Sequence, residues 1–295
     1  MKTQSTKVSH LMTASASSKQ LLVVAPRNIL ARMIFDLVRN RHLAWQFLQR
    51  DIFVRYQGTF FGLFWSFLSP LMMLAVYVFV FGFVFKASFG HRANESTFEF
   101  GLALFCGLNL FNFFAEVVVR SPTLILQYPN FVKKVVFPLQ ILPVVATGSG
   151  LFHCLIAFLP LTIGLAIAHQ QVPFTVLYVF LFLVPLTLLT CGVSWILAAV
   201  GVFFRDVQAL LTAAITILMF TSAIFFPRSA VPEKWRVIVD LNPMVHLVEN
   251  ARSAIIWGET PYWRTYFVLL VGALLVAVLG YFVFERSKSA FADVM

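Results

Sequence analysis

The chain has 295 residues, of which 60% are hydrophobic and only 12% charged, and its mean hydropathy is +0.87. A soluble domain carries about 25% charged residues, so this much apolar side chain exceeds what one water-facing core can hide, and the surplus must face lipid. The formal charge of +10 would suit nucleic acid, but the cations gather on one side of the expected membrane. Cys106, Cys154 and Cys191 all fall inside apolar runs and read as packed thiols rather than a disulfide framework or a metal site.

In chain order, the first residues are rich in Ser, Thr and Lys and read as a disordered cytoplasmic tail over 1–35. Leu21–Ala25 is too short for the apolar core of a signal peptide, and Pro26 and Arg27 end it, so no cleaved leader is expected. Residues 36–58 predict an amphipathic interface helix. Trp45, Leu48, Ile52 and Tyr56 recur on one face, with Arg39, His42, Gln46, Gln49 and Arg50 on the other. Such a basic helix lies beside anionic headgroups. Asp51 and Arg55 stand four residues apart, the spacing of a helical ion pair. The segment reads either as a generic surface helix or as a platform that a partner or a substrate headgroup touches.

Six apolar stretches then approach the roughly 20 residues that a bilayer crossing needs. They run about 59–85, 100–119, 140–168, 174–204, 207–226 and 265–284. The fifth is diluted by Thr212, Thr216, Thr221 and Ser222. With the N-terminus inside, the inner segments hold fifteen Lys and Arg against seven outside, which places both termini in the cytoplasm. Glu116 lies near the inner end of the second span, with Arg120 one turn on as its expected partner; an ionisable group there is paired or functional.

Two connections exceed a simple turn. The inner loop 120–138 contains Pro122 and Pro129 and a short stretch from Asn130 with Lys133 and Lys134, a topology signal or a docking element for a cytoplasmic subunit. The outer stretch 227–264 predicts two short interfacial or re-entrant helices around Asn242–Pro243, with Trp235, Trp257, Tyr262 and Trp263 nearby. Those rings form an aromatic belt or line an exit for sugar rings. No Walker motif, H-E-x-x-H or acidic metal motif occurs, and no catalytic residue is assigned. The chain thus carries no energy source of its own, and any uphill transport needs a partner.

The run Arg50-Asp51, Arg55-Tyr56, Gly58-Thr59, Gly62 and Trp65, then Ser69-Pro70-Leu71, resembles the opening region of ABC-2 type polysaccharide export permeases, the Wzm and TagG type. Asn130 to Pro138, Arg205-Asp206, Leu241-Asn242-Pro243 and Phe291-Ala292-Asp293 are similar to the same family. Pro138 is followed by Leu139 and Gln140, where the family often has a basic residue. The resemblance implies an all-α membrane protein forming a homodimer. Two copies of a cytoplasmic ATPase would hold the ATP and Mg and dock on Asn130, Phe131, Lys133, Lys134 and Phe137. Trp45, Arg50, Asp51, Arg55 and Tyr56 would belong to the interface helix, and the outer aromatics to the exit. The implied cargo is a lipid-linked glycan, O-antigen first, with teichoic acid or capsule as rivals. A membrane-embedded glycosyl- or acyltransferase is the alternative from another class, disfavoured by the lack of convergent acids or histidines.

Overall fold

The computed structural model describes residues 28–85, 89–90, 96–132, 137–170 and 173–294, and all regular structure among them is helical. The chain enters as α1 (Ile29–Arg39) and α2 (Arg41–Tyr56), so the expected single interface helix is two. Asn40 divides them, its side-chain amide donating to the Asp36 carbonyl at 2.8 Å. The helix also begins seven residues before the expected boundary at Asp36. α1 buries Met33 and pairs Arg32 with Glu285 at 3.0 Å, and its Asp36 accepts from the Tyr281 hydroxyl. Leu30, Ile34 and Val38, four apart, remain an exposed apolar stripe. α2 differs from the expected amphipathic pattern. Leu48, Ile52 and Tyr56 turn inward, but Trp45 is exposed, together with Phe53 and Val54, while Phe47 and Asp51 join the inner face.

Among the described residues, five apolar runs are long enough to cross a membrane: Gly62–Val84, Thr97–Thr123, Ile141–His169, Phe174–Phe203 and Trp263–Val294. The first contains α3 (Trp65–Tyr77) and continues as a π-helical stretch, Val78–Val84. The second is α4 (Thr97–Arg120), opened by a reciprocal cap in which the Glu99 amide donates to Ser96 Oγ at 3.0 Å. Two thirds of α4 is buried, the largest share among the long helices, which makes it the central post of the bundle. A short turn, α5 (Pro129–Val132), leads toward α6 (Ile141–His169), then α7 (Tyr178–Phe203) and α8 (Val207–Thr221). The fifth apolar helix stops at Thr221 after 15 residues, short of the expected 226. There the chain turns through Ala223 at φ +50°.

Two short helices follow, α9 (Glu233–Asp240) and α10 (Pro243–Ile256), before α11 (Trp263–Ser287) and the terminal turn α12 (Phe291–Val294). α9 is largely exposed, whereas α10 is wedged among α4, α7 and α11 with nearly every side chain buried. Asn242 caps α10 by accepting from the Met244 amide at 2.9 Å. Its amide group in turn donates to Ser222 Oγ at 2.9 Å, which ties the cap to the broken end of α8.

α7 and α11 make the most extensive helix pair, and the reason lies in two glycines. A Cβ on Gly280 would sit 2.1 Å from the Gly192 carbonyl oxygen, and one on Gly192 would sit 2.6 Å from the Ala277 nitrogen. The backbones touch, as small residues permit in lipid, where dispersion replaces the hydrophobic drive. Gly280→Leu should therefore cost on the order of 1–3 kcal/mol and abolish the monodisperse peak on detergent size-exclusion chromatography. Gly272→Leu, with nothing within 4 Å of the added Cβ, should leave the peak unchanged.

Candidate functional site

The expected docking and interface residues converge at one end of the bundle, called here the basal end. Phe47 of α2 meets the rings of Tyr128, Phe131 and Phe137 at 6.4, 5.8 and 5.5 Å. Phe131 stacks on Phe137 at 4.3 Å and on Tyr128 at 5.5 Å. Arg50 caps the cluster, its guanidinium 5.3 Å from the Phe47 ring and 5.8 Å from that of Tyr128, a geometry that gains from the ring quadrupole. The loop after α4 is thereby mounted on α2. Asn130 is exposed beside the cluster, whereas Lys133 and Lys134 lie outside the described residues.

Beneath the rings, four charges exchange partners relative to the sequence expectation. Asp51 and Arg55 stand one turn apart, as do Glu116 and Arg120, yet the ion pairs run between helices. Arg120 grips both Asp51 oxygens, one at 2.7 Å, and Arg55 pairs with Glu116. The backbone of α2 packs on α6 rather than on α4, and its long side chains reach across, residues 51 and 55 meeting 120 and 116 in the opposite chain order. A bidentate guanidinium–carboxylate geometry strengthens the first pair. Tyr56 adds a third tie, its hydroxyl 3.0 Å from His153 Nδ1 on α6. Trp45 takes no part and faces outward. Among the described residues no group of three or more His, Cys, Asp or Glu side chains could hold a metal.

Burial alone would raise the Asp51 carboxyl, but the hydrogen bonds and charge of Arg120 outweigh it and hold the group below its ordinary value of 3.8. A depressed carboxylate contributes stability that is complete above that ordinary value and is lost as pH falls through the lower native one. Thermal melts of the purified protein should thus show an acid-labile component below about pH 4 that Asp51→Asn abolishes, with a lower melting temperature at pH 7. Separately, Arg55→Glu should destabilise the α2–α4 contact. Arg55→Glu with Glu116→Arg should restore it, giving a coupling of roughly 0.5–3 kcal/mol in a double-mutant cycle.

The opposite end separates the four expected aromatics. Trp257 and Tyr262 border a cavity of about 480 Å³, whereas Trp235 stands exposed on α9. Trp263 turns to the outer face of α11, near Tyr266 at 6.0 Å and Phe267 at 6.3 Å, as a belt residue does. The residue that organises this end escaped the sequence reading. Arg252, in the middle of α10, is 2% exposed. Its Nε donates to the Ala103 carbonyl at 3.2 Å, and Nη2 to those of Ala223 and Ile224 at 3.4 and 3.1 Å. Its guanidinium also lies 4.0 Å from the centre of the Phe89 ring. The signal was available: Arg252 shares the apolar face of its helix with Val248 and Ile255, a position that a solvated cation would avoid.

The sequence profile of the family described as ABC-2 type transporter matches residues 42–256. The chain is 29% identical over 266 residues to the O-antigen export system permease protein RfbA of Myxococcus xanthus, covering 89% of this chain and 98% of that protein. An RfbA of Klebsiella pneumoniae is 24% identical over 83% of this chain and 92% of its own length. The polysialic acid transport protein KpsM of Escherichia coli is 25% identical over 82% and 92%, respectively. The profile spans α2 through α10, taking in the basal platform, the α4 post and the Arg252 helix. This chain belongs to the ABC-2 type transporter family.

Proposed function

We propose that the chain is the permease subunit of an ABC exporter that carries a lipid-linked polysaccharide, an undecaprenyl-linked O-antigen foremost, across the bacterial inner membrane. Two copies enclose the path. Six helices cross per copy, counting α8, and both termini are cytoplasmic. Residues 36–58 serve as the interface segment and 59–295 as the transmembrane domain. Two copies of a cytoplasmic ATPase bind ATP and Mg and dock on the loop bearing Asn130, Phe131, Lys133, Lys134 and Phe137.

One observation carries the reading: the aromatic loop cluster is bolted through α2 to α4, the most buried of the long helices. Force applied at Phe131 and Phe137 has a contact path through Phe47, Asp51 and Arg55 into α4. The path itself has support in exposed polar groups that lipid would not tolerate. Asn112 and Glu116 on α4 and Gln208, Thr212 and Thr216 on α8 are all accessible in the single chain. α8 has no buried residue at all, which favours a second copy as its cover. A hydroxyl-rich polymer cannot dissolve in hydrocarbon, so it needs such a lined slot.

The relatives named for O-antigen export favour that cargo. Export of a capsular polymer is the second reading, favoured by the likeness to the polysialic acid transport protein. Deleting the gene should cause lipid-linked glycan to build up inside the cell, as seen by fractionation and glycan staining. Loss of glycan synthesis would instead indicate a transferase. Phe131→Ala with Phe137→Ala should lower ATPase co-purification several-fold while membrane insertion stays intact.

A further inference from the structure

The cavity at the far end is built for a ligand, and its lining says which kind. Among the described residues, three arginines, Arg228, Arg236 and Arg252, face it with the carboxylate of Glu249. Asp240 does not line it; it neutralises Arg228 from behind, through paired hydrogen bonds of 2.5 and 2.6 Å. Those bonds hold the Asp240 carboxyl below its usual value, so it stays ionised. Glu249 is fixed in turn, one oxygen accepting from the Arg228 amide at 3.0 Å. Arg236 is the exception. Its Nη2 donates to the Val231 carbonyl at 3.3 Å, but its buried Nε–H has no hydrogen-bond partner. That atom is closed even to water, so a ligand meets this guanidinium at the rest of its edge, where Arg236 lines the cavity.

The walls are aromatic and rigid. Tyr262 is held by Asn250, whose Oδ1 accepts from its amide at 2.9 Å and whose Nδ2 donates to its carbonyl at 3.3 Å. Phe89 stacks on Phe100 at 4.7 Å and meets the Trp257 ring edge-on at 6.3 Å. Flat rings beside fixed guanidinium donors and a carboxylate acceptor match a pyranose. Its C–H faces rest on rings, its hydroxyls donate to Glu249, and an acidic substituent takes the Arg236 donor. A volume of about 480 Å³ falls at the low end of ligand sites, enough for one or two sugar units rather than a polymer.

We infer that this cavity is an acidic-sugar subsite, which takes a carboxylate-bearing pyranose of the glycan at the exit side of each permease. The inference rests on the exporter reading for its source of glycan. It deepens that reading by making the far end selective for charged units, with Arg236 as the specificity residue. A neutral sugar would leave the Arg236 donor without a charged acceptor and would bind more weakly.

The test uses the permease with its ATPase in nanodiscs of zwitterionic lipid. The probes are a tetrasaccharide of alternating glucuronate and N-acetylglucosamine and the neutral tetrasaccharide of N-acetylglucosamine, read by titration calorimetry and saturation-transfer NMR. The acidic probe should bind at least tenfold more tightly than the neutral one. Arg236→Gln should remove that preference, and Arg236→Lys, a second variant in case the first fails to assemble, should reduce it partway. Equal binding of both probes, no binding of the acidic one, or a preference unchanged in Arg236→Gln would overturn the subsite. So would full displacement by short-chain phosphatidylglycerol, which would make it a headgroup site. Should the subsite fail while deletion still traps glycan inside the cell, the exporter reading stands alone. If glycan is not trapped while acidic binding persists, the exporter reading falls and the sugar site remains.

Discussion

A single guanidinium holds the far half of this molecule together. Arg252 reaches the carbonyls of Ala103, Ala223 and Ile224, which belong to α4 and to the broken end of α8. Helix termini leave carbonyls without partners, and in a bundle with no water such groups must be satisfied from within. The charge is tolerable because backbone dipoles surround it and the Phe89 ring lies against it. Everything around it follows from that arrangement. α10 is drawn in among the long helices, α8 ends early, and Gly107 must remain small, since a Cβ there would lie 2.9 Å from Arg252 Nη2.

The basal half uses the opposite strategy, with charges at a half-exposed surface and rings above them. The two cross-helix pairs join surfaces that sequence neighbours could have neutralised within each helix. Local pairing would have satisfied the charges and left α2 free. Pairing between helices makes α2 part of the α4 post, and the aromatic cluster then fastens the loop to both. The two halves meet along α4, whose lower end carries Glu116 and Arg120 and whose upper half carries Ala103 and Gly107. One helix thus touches both the basal cluster and the Arg252 helix.

Hydropathy alone located the long helices closely. The third was expected over 140–168 and runs Ile141–His169, and the fourth over 174–204 and runs Phe174–Phe203. A lipid-facing helix reports its length in its own composition, so no tertiary knowledge is needed. The failures are those where a distant group decides. The end of α8 is set by Arg252 and Asn242, which lie well beyond it in the chain. Glu116 pairs with Arg55 rather than Arg120 because the side chain of Arg55 reaches it from α2, which periodicity cannot show. The four outer aromatics look alike in sequence, and only the fold separates Trp257 and Tyr262 at the cavity from Trp235 and Trp263 on the surface.

The brevity of α8 has a mechanical consequence. At 15 residues it spans about 22 Å, against a hydrocarbon thickness of about 30 Å. As the sixth crossing proposed above, so short a helix would require the bilayer beside it to thin. In the dimer proposed above, two such short helices brought together would narrow the barrier to a waist. The work of holding a hydrated chain in a confined slot rises with the number of units inside it at once. In the proposed exporter a waist of this depth would keep that number small, so each stroke would advance the chain only a short way before its leading sugars regain water.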